Sequence, residues 1–426
     1  MPNRVLIAIL LLWLGTPPTQ AQLHGHGGPV RALAISGDGL TAVSGSFDTS
    51  AIYWALRSNT AEQVLRYHDG AVNAVAILAD GRIVTASADT RIGIWRVGET
   101  QPHRVLDGHT APVAALAASP DGKMLASASW DRTVRLWSLA GGAARVLEGH
   151  QQNVNGVAFQ PDAKGLVSAG YDGTLRIWPL AKKTPPIVSA LPTPLNAVVV
   201  AKDGEIVTAG ADGNVYFLSA AGEVRASVHA GDTPIIALAL SPDSAMIAAA
   251  GLHGSVAIID RTKRAVARTL DGPGLPVWSA AFFPDNRTLL TGGADRVIRR
   301  WDAITGEQIG FVIAGAPTDP LAPYAGDPGA QVFRACIACH TLRPGEGNRA
   351  GPTLAGLMGR RIATLPGYNF SPALKKLDIV WTPETVAKLF ELGPETFTPG
   401  TKMPEQTINS AGDRAALVRF LEKVTK

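Results

Sequence analysis

Cysteine is almost absent: Cys336 and Cys339 are the only two in 426 residues. Neither thiol has a competing partner elsewhere, and no Cys/His cluster supplies the second ligand pair that a four-coordinate zinc site needs. Apolar runs of membrane length are absent too. The run at residues 5–14 holds ten apolar residues, too few to span a bilayer, and no other run approaches that length. Charge is sparse, at 17% of residues, and the net charge is only +4. Residues 1–326 hold 26 basic and 26 acidic residues, so the whole excess lies in residues 327–426, with 13 against 9. So small a surplus gives no clustered basic face, which argues against nucleic acid as a partner, and leaves room for a mildly acidic docking protein.

Glycine and proline are abundant, 45 and 30 residues, in a chain that is 46% hydrophobic. That composition suits many short, tightly turned elements in two or more domains. Arg4, the apolar run Val5–Leu14, a polar Thr-Pro-Pro-Thr stretch and the small-x-small site Thr19-Gln20-Ala21 form a secretory signal peptide over residues 1–21, cut after Ala21. The mature chain is expected to be exported and to have no membrane span.

The middle of the chain repeats. Asp48, Asp89, Asp131, Asp172, Asp212, His253 and Asp295 recur every 40 to 42 residues, and six residues after each stands Trp54, Trp95, Trp137, Trp178, Leu218, Ile259 or Trp301. His26, His68, His109 and His150 open the first four repeats, with Leu191, Gly231 and Pro273 at the matching later positions. Alternating strands and Pro-Asp-Gly turns lie between. A period of about 40–45 residues with Gly-His and Trp-Asp marks is the WD pattern, and residues 26–313 resemble a seven-bladed WD-repeat β-propeller. In such repeats the His, Asp and Trp join a buried hydrogen-bond network within each blade, which makes His68–Asp89–Trp95 and its equivalents structural rather than catalytic. Blades five and six lack these residues and must rely on apolar packing. Glu307–Ile313 can serve as the last blade's own outer strand, so the ring is expected to close without exchange of a terminal strand. The residue before each turn Asp falls at an exposed corner, which puts the aromatics Phe47, Trp130 and Tyr171 on one face, a candidate surface for docking a redox partner protein.

The rest of the chain carries the chemistry. Residues 314–326 form a Pro/Gly-rich linker, and Asp327-Pro328 opens a helix that leads into Cys336-Ile337-Ala338-Cys339-His340. A C-x-x-C-H run is the attachment signal for haem c. Two thiols on one helical turn can each form a thioether to a porphyrin vinyl group, and the histidine points at the iron. A disulfide or redox pair, or half a zinc site, are the alternatives to this reading of the spacing. Residues 327–426 resemble a class I c-type cytochrome, through G-P-x-L-x-G-L-x-G-R at 351–360 and P-G-T-K-M at 399–403. The resemblance implies a small all-α domain with one covalent haem c, held by Cys336 and Cys339 and ligated by His340 and Met403. It implies that the Pro352 carbonyl accepts the His340 Nδ1–H, that Arg360 and Trp381 meet a haem propionate, and that Thr401 belongs to the cofactor-binding loop. It also implies a C-terminal helix crossing the one before Cys336. Met358, the domain's other methionine, reads as packing. Near Leu389-Phe390 the family often has a tyrosine on the methionine sulfur, and here there is none.

Domain boundaries follow: signal peptide 1–21, propeller 22–313, linker 314–326, cytochrome domain 327–426. A His/Met iron has no open position for substrate, so the expectation is a periplasmic electron-transfer cytochrome whose propeller docks a partner, rather than an enzyme. The alternatives are a haem-fed oxidoreductase with its reaction centre in the propeller, and a haem-based redox or gas sensor.

Overall fold

The structure, a computed structural model, describes residues 22–310 and 321–425, apart from 182–183, 273, 335, 338–339, 345–350, 367, 369, 372, 400, 402 and 404–406. The signal-peptide segment and residues 314–320 of the expected linker lie outside the described residues.

Seven antiparallel sheets of four strands make a seven-bladed propeller. The third blade is representative, with strands Val113–Ala118, Met124–Ser129, Val134–Ser138 and Arg145–Leu147 in consecutive order. The second strand of a blade is covered on both faces by neighbouring blades. Its residues are therefore small or aliphatic almost without interruption: Leu125, Ala126, Ser127, Ala128 and Ser129 are all buried. The tryptophan of the third strand packs between sheets, and Trp54 and Trp95 are fully enclosed.

The turn aspartates explain how such short strands reverse. The residue after each repeat position is left-handed in all seven blades: Thr49, Thr90, Arg132 and Arg296 with φ of 66–74°, and glycines 173, 213 and 254. Non-glycine residues are uncommon in that region. The aspartate offsets the strain by accepting the N–H two residues on, as Asp48 does from Ser50 at 2.9 Å and Asp131 from Thr133 at 2.9 Å.

The same carboxylates anchor the network expected from the sequence, which has a fourth member. In the first blade Asp48 accepts from His26 Nδ1 (3.0 Å), and His26 Nε2 and Trp54 Nε1 converge on the Ser44 hydroxyl at 2.7 Å each. Thr85, Ser127 and Ser168 occupy the same place in the next three blades. Trp N–H can only donate, so the hydroxyl donates to Nε2 and the imidazole carries its proton on Nδ1, toward the aspartate. Burial alone would raise the Asp48 carboxyl. The His26 imidazole and the Ser50 donors outweigh it and hold the group well below the usual carboxylate range. At His150, burial outweighs Asp172 and pushes the imidazole down, consistent with a neutral ring.

Blades five and six lack the histidine and are held to each other by ion pairs at the opposite ends of the strands from the Asp212 and His253 turns. Arg261 meets Asp203 (2.8 Å) and Glu205 (2.9 Å), Arg264 pairs with Glu205, and the Arg264 guanidinium sits 4.1 Å from the Phe217 ring centroid. These ion pairs tie blade five to blade six.

Ring closure differs from the sequence expectation of no strand exchange. Leu23–His24 is the outer strand of the last blade, pairing antiparallel with Val297–Asp302 through Leu23↔Ile298 and His24↔Val297. The other end of that strand is met by the segment expected to close it, since Ile309 N–H donates to the Arg300 carbonyl and Asp302 N–H to that of Glu307. The N-terminal pairing prevails at its end because Leu23 finds a fully buried place beside Ile298, Leu290 and Trp54. The exchange joins the two ends of the ring.

Among the described residues the C-terminal domain has four α-helices: α1 (Pro328–Phe333), α2 (Pro383–Leu392), α3 (Pro394–Phe397) and α4 (Ala411–Val424). Asp327 caps α1 by accepting the Gly329 N–H at 2.9 Å. A Cβ at Gly329 would overlap the Ala416 carbonyl and Phe420, so glycine lets α1 and α4 cross in backbone contact. Part of the expected linker belongs to this core: Leu321 is buried in it, and Tyr324 packs edge-on against Phe420 at 5.4 Å.

Candidate functional site

Backbone hydrogen bonds of one-turn spacing link the end of α1 to the C-x-x-C-H motif. Cys336 N–H donates to the Phe333 carbonyl (2.7 Å) and His340 N–H to the Cys336 carbonyl (3.0 Å). That one-turn spacing puts Cys336 and His340 on one face, lining a single cleft of about 1380 Å³ including its open mouth. Cys339 lies outside the described residues.

The 351–360 segment orients the imidazole. Gly351 lies flat against the His340 ring, and a Cβ there would overlap it. The Pro352 carbonyl oxygen is 2.7 Å from His340 Nδ1, so Nδ1 carries the proton and Nε2 keeps its lone pair. Further along, Arg360 lines the cleft and donates to the carbonyls of Ala355 (2.9 Å) and Thr353 (3.0 Å). Burial pushes its pKa down, and it has no ion-pair partner among the described residues. Gly359 N–H donates to the Trp381 carbonyl and Trp381 N–H to that of Arg360, which holds Arg360 and Trp381 side by side on the cleft.

Helix α2 begins with a Thr382–Thr385 capping box and turns Val386, Leu389 and Phe390, spaced i, i+3 and i+4, into the cleft. The loop after α3 brings Thr401 and Met403 to the same cleft, with the Met403 N–H donating to the Thr401 hydroxyl at 3.1 Å. Met358 packs against the domain core instead. Leu389 and Phe390, in place of a tyrosine, make this part of the cleft wall apolar. The cleft thus gathers Cys336, His340, Pro352, Arg360, Trp381, Thr401 and Met403 from four separate segments.

Sequence reasoning missed two contributors. The 368–374 loop adds Tyr368, Phe370 and Ser371 to the lining, a role its clustered aromatics hint at. The first propeller blade adds Asp48 and Arg66, which no local pattern marks. Phe47, Trp130 and Tyr171 are 41%, 46% and 46% exposed. Phe47 stands edge-on to Trp278 at 4.6 Å, and the Trp130 indole donates to Asn155 at 3.1 Å.

The fold and the cleft define a propeller joined to a c-type cytochrome domain. The family model of the first β-propeller of IFT122 matches residues 71–316, more than half of the chain, and that of the WD domain, G-beta repeat, matches residues 18–55. Curated relatives match the C-terminal part. A cytochrome c of Cochliobolus lunatus is 41% identical over 99 residues, 23% of this chain and 91% of the relative. A cytochrome c of Arabidopsis thaliana is 41% identical over 99 residues, with 88% of its length covered, and a cytochrome c2 of Blastochloris viridis 39% over 94 residues, with 73% covered. The chain belongs to the WD-type β-propellers through its blades and to the cytochrome c family through its C-terminal domain, whose cofactor is haem c.

The residues present fit that cofactor. One nitrogen and one thioether donor share an apolar cleft with a cysteine of the attachment motif, and the glycine beside the imidazole leaves the ring face free of any Cβ.

Proposed function

We propose that this protein is an exported, periplasmic electron-transfer cytochrome with one haem c, whose propeller docks a redox partner. The observation that carries this reading is the presence of His340 and Met403 on one cleft, with the His340 Nδ1–H held by Pro352. When bound, haem c supplies a one-electron ferric/ferrous couple, whose potential a His/Met pair raises. Cys336 and Cys339 would hold it covalently, and His340 Nε2 and Met403 would ligate its iron.

The other residues of the cleft position these. Pro352 fixes the imidazole's tautomer and orientation and increases its donor strength. Thr401 pins the backbone of Met403. Arg360 and Trp381 stand where a propionate would need a cation and a donor. Val386, Leu389 and Phe390 give the cleft an apolar wall that disfavours water. With His340 and Met403 both donating to the iron, the protein would leave no coordination site for a substrate, which suits electron transfer. The exposed aromatics Phe47, Trp130 and Tyr171 are of the type enriched at interaction hot spots, and the basic excess of the C-terminal domain suits a mildly acidic redox partner.

The test is pyridine-haemochrome quantitation of periplasmic protein with optical spectra of both oxidation states. One haem c per chain, the weak long-wavelength band of methionine-ligated ferric haem, and no carbon monoxide binding to the reduced protein are expected. A second chromophore or ready carbon monoxide binding would overturn the reading.

A further inference from the structure

Arg66 ends the outermost strand of the first blade, Thr60–Arg66, yet its side chain lines the cleft of the C-terminal domain. Its guanidinium carbon lies 5.4 Å from the centroid of the Tyr368 ring, a stacked cation–π contact across the two domains. Nε and Nη2 of Arg66 are buried and have no hydrogen-bond partner among the described residues. The nearby acid does not serve it. Asp48 lines the same cleft, but its carboxylate is engaged by His26 Nδ1, the Gly27 and Ser50 N–H groups and the Ser50 hydroxyl. A buried guanidinium with free donors, aimed into a cleft and passed over by the adjacent carboxylate, calls for an anion that the cleft's occupant must bring.

Haem carries such anions, its two propionate carboxylates. A guanidinium matches a carboxylate in planarity and donor spacing. We propose that Arg66 of the propeller pairs with a propionate of the haem in the C-terminal cleft, so that the first blade, through Arg66 stacked on Tyr368, closes the haem edge and raises the reduction potential. The proposal rests on the haem reading above and adds a positioning residue from the other domain. The sign follows from charge. A cation near the iron disfavours the ferric state, which carries one more positive charge, so its removal lowers the potential.

The test uses the full-length holoprotein and spectroelectrochemical titration of the midpoint potential. Arg66→Gln is expected to shift the reduction equilibrium three- to tenfold toward the ferric form, a fall of about 30–60 mV at 59 mV per decade for one electron. Arg66→Lys keeps the charge and should retain most of the potential, and Tyr368→Leu should shift it the same way by less. Arg57→Gln, at an exposed position on the same blade and outside the cleft, controls for the loss of one charge. The proposal is overturned if Arg66→Gln moves the potential no further than Arg57→Gln. Should Arg66→Gln fail to accumulate, Tyr368→Leu decides in the same way, a shift beyond the control supporting the pairing and none overturning it. Haem content and axial ligation, read optically on the wild type, separate a failure of the haem reading from a failure of this pairing.

Discussion

The carbonyl oxygen of Pro352 lies 2.7 Å from Nδ1 of His340, twelve residues back in the chain. Neither residue is placed by the other's secondary structure. One ends the C-x-x-C-H motif and the other follows a glycine that must lie flat on the imidazole, so the pair works as a clamp whose hinge is Gly351.

Gly351→Val should therefore disturb the imidazole without touching a ligand atom. The added side chain meets the His340 ring, which must tilt away from the Pro352 carbonyl. Weaker haem incorporation, or a shifted ligand-field spectrum where haem is incorporated, is the expected outcome, measured by haem content per chain and by optical spectra.

On the proposed ligation, Met403→Ala should free one coordination site while leaving covalent attachment intact. The reduced variant should bind carbon monoxide and lose the long-wavelength ferric band. Met358→Leu, in the packed core, should leave both unchanged. Carbon monoxide titration of the two variants checks this directly.

Ser127→Ala removes the hydroxyl on which His109 Nε2 and Trp137 Nε1 converge at 2.8 Å each. Both ring nitrogens are then left buried without a partner, at a cost of about 1–3 kcal/mol each in propeller stability. Denaturant unfolding followed by tryptophan fluorescence measures it, and the visible spectrum of the haem domain should not change.

Leu23→Ala tests the joining of the ring. Leu23 is fully buried against the last blade, and truncating such a residue costs about 2–5 kcal/mol. The loss should appear as faster amide exchange in strand Val297–Asp302, while the strands of blades three and four keep their protection.

Acid should unfold the propeller, with a sign fixed by two groups of residues. Asp48, Asp89, Asp131 and Asp172 are held below the usual carboxylate range, so their stabilisation is present above the unfolded value of about 4 and is lost as pH falls. Burial depresses His150, so the unfolded chain takes up that proton first as pH falls through about 6.5, which also favours unfolding. Thermal midpoints measured from pH 7 down to pH 3 should decline throughout, more steeply below about pH 4.5.

Much of this molecule was legible locally. The WD period, the C-x-x-C-H motif and the G-P-x-L and P-G-T-K-M segments are short patterns whose meaning lies in spacing, and spacing survives in one dimension. The aspartate turns could be read because each carboxylate caps the backbone two residues away. The serine or threonine joining His to Trp was visible ten residues before each tryptophan, but small polar residues are too common in buried strands to stand out.

What the chain alone determined is the set of parts: seven blades, a haem-attachment turn and the methionine loop. What only the tertiary structure decided is how distant pieces meet. Leu23 pairs with Ile298 of the last blade because burial beside Ile298 and Trp54 rewards the longer-range pairing. Leu321 and Tyr324 leave the tether for the helical core. Arg66, unremarkable at the end of an edge strand, comes to stand over Tyr368 in the lining of the cleft. Contacts between residues hundreds of positions apart depend on packing and charge in three dimensions, and no periodicity along the chain records them.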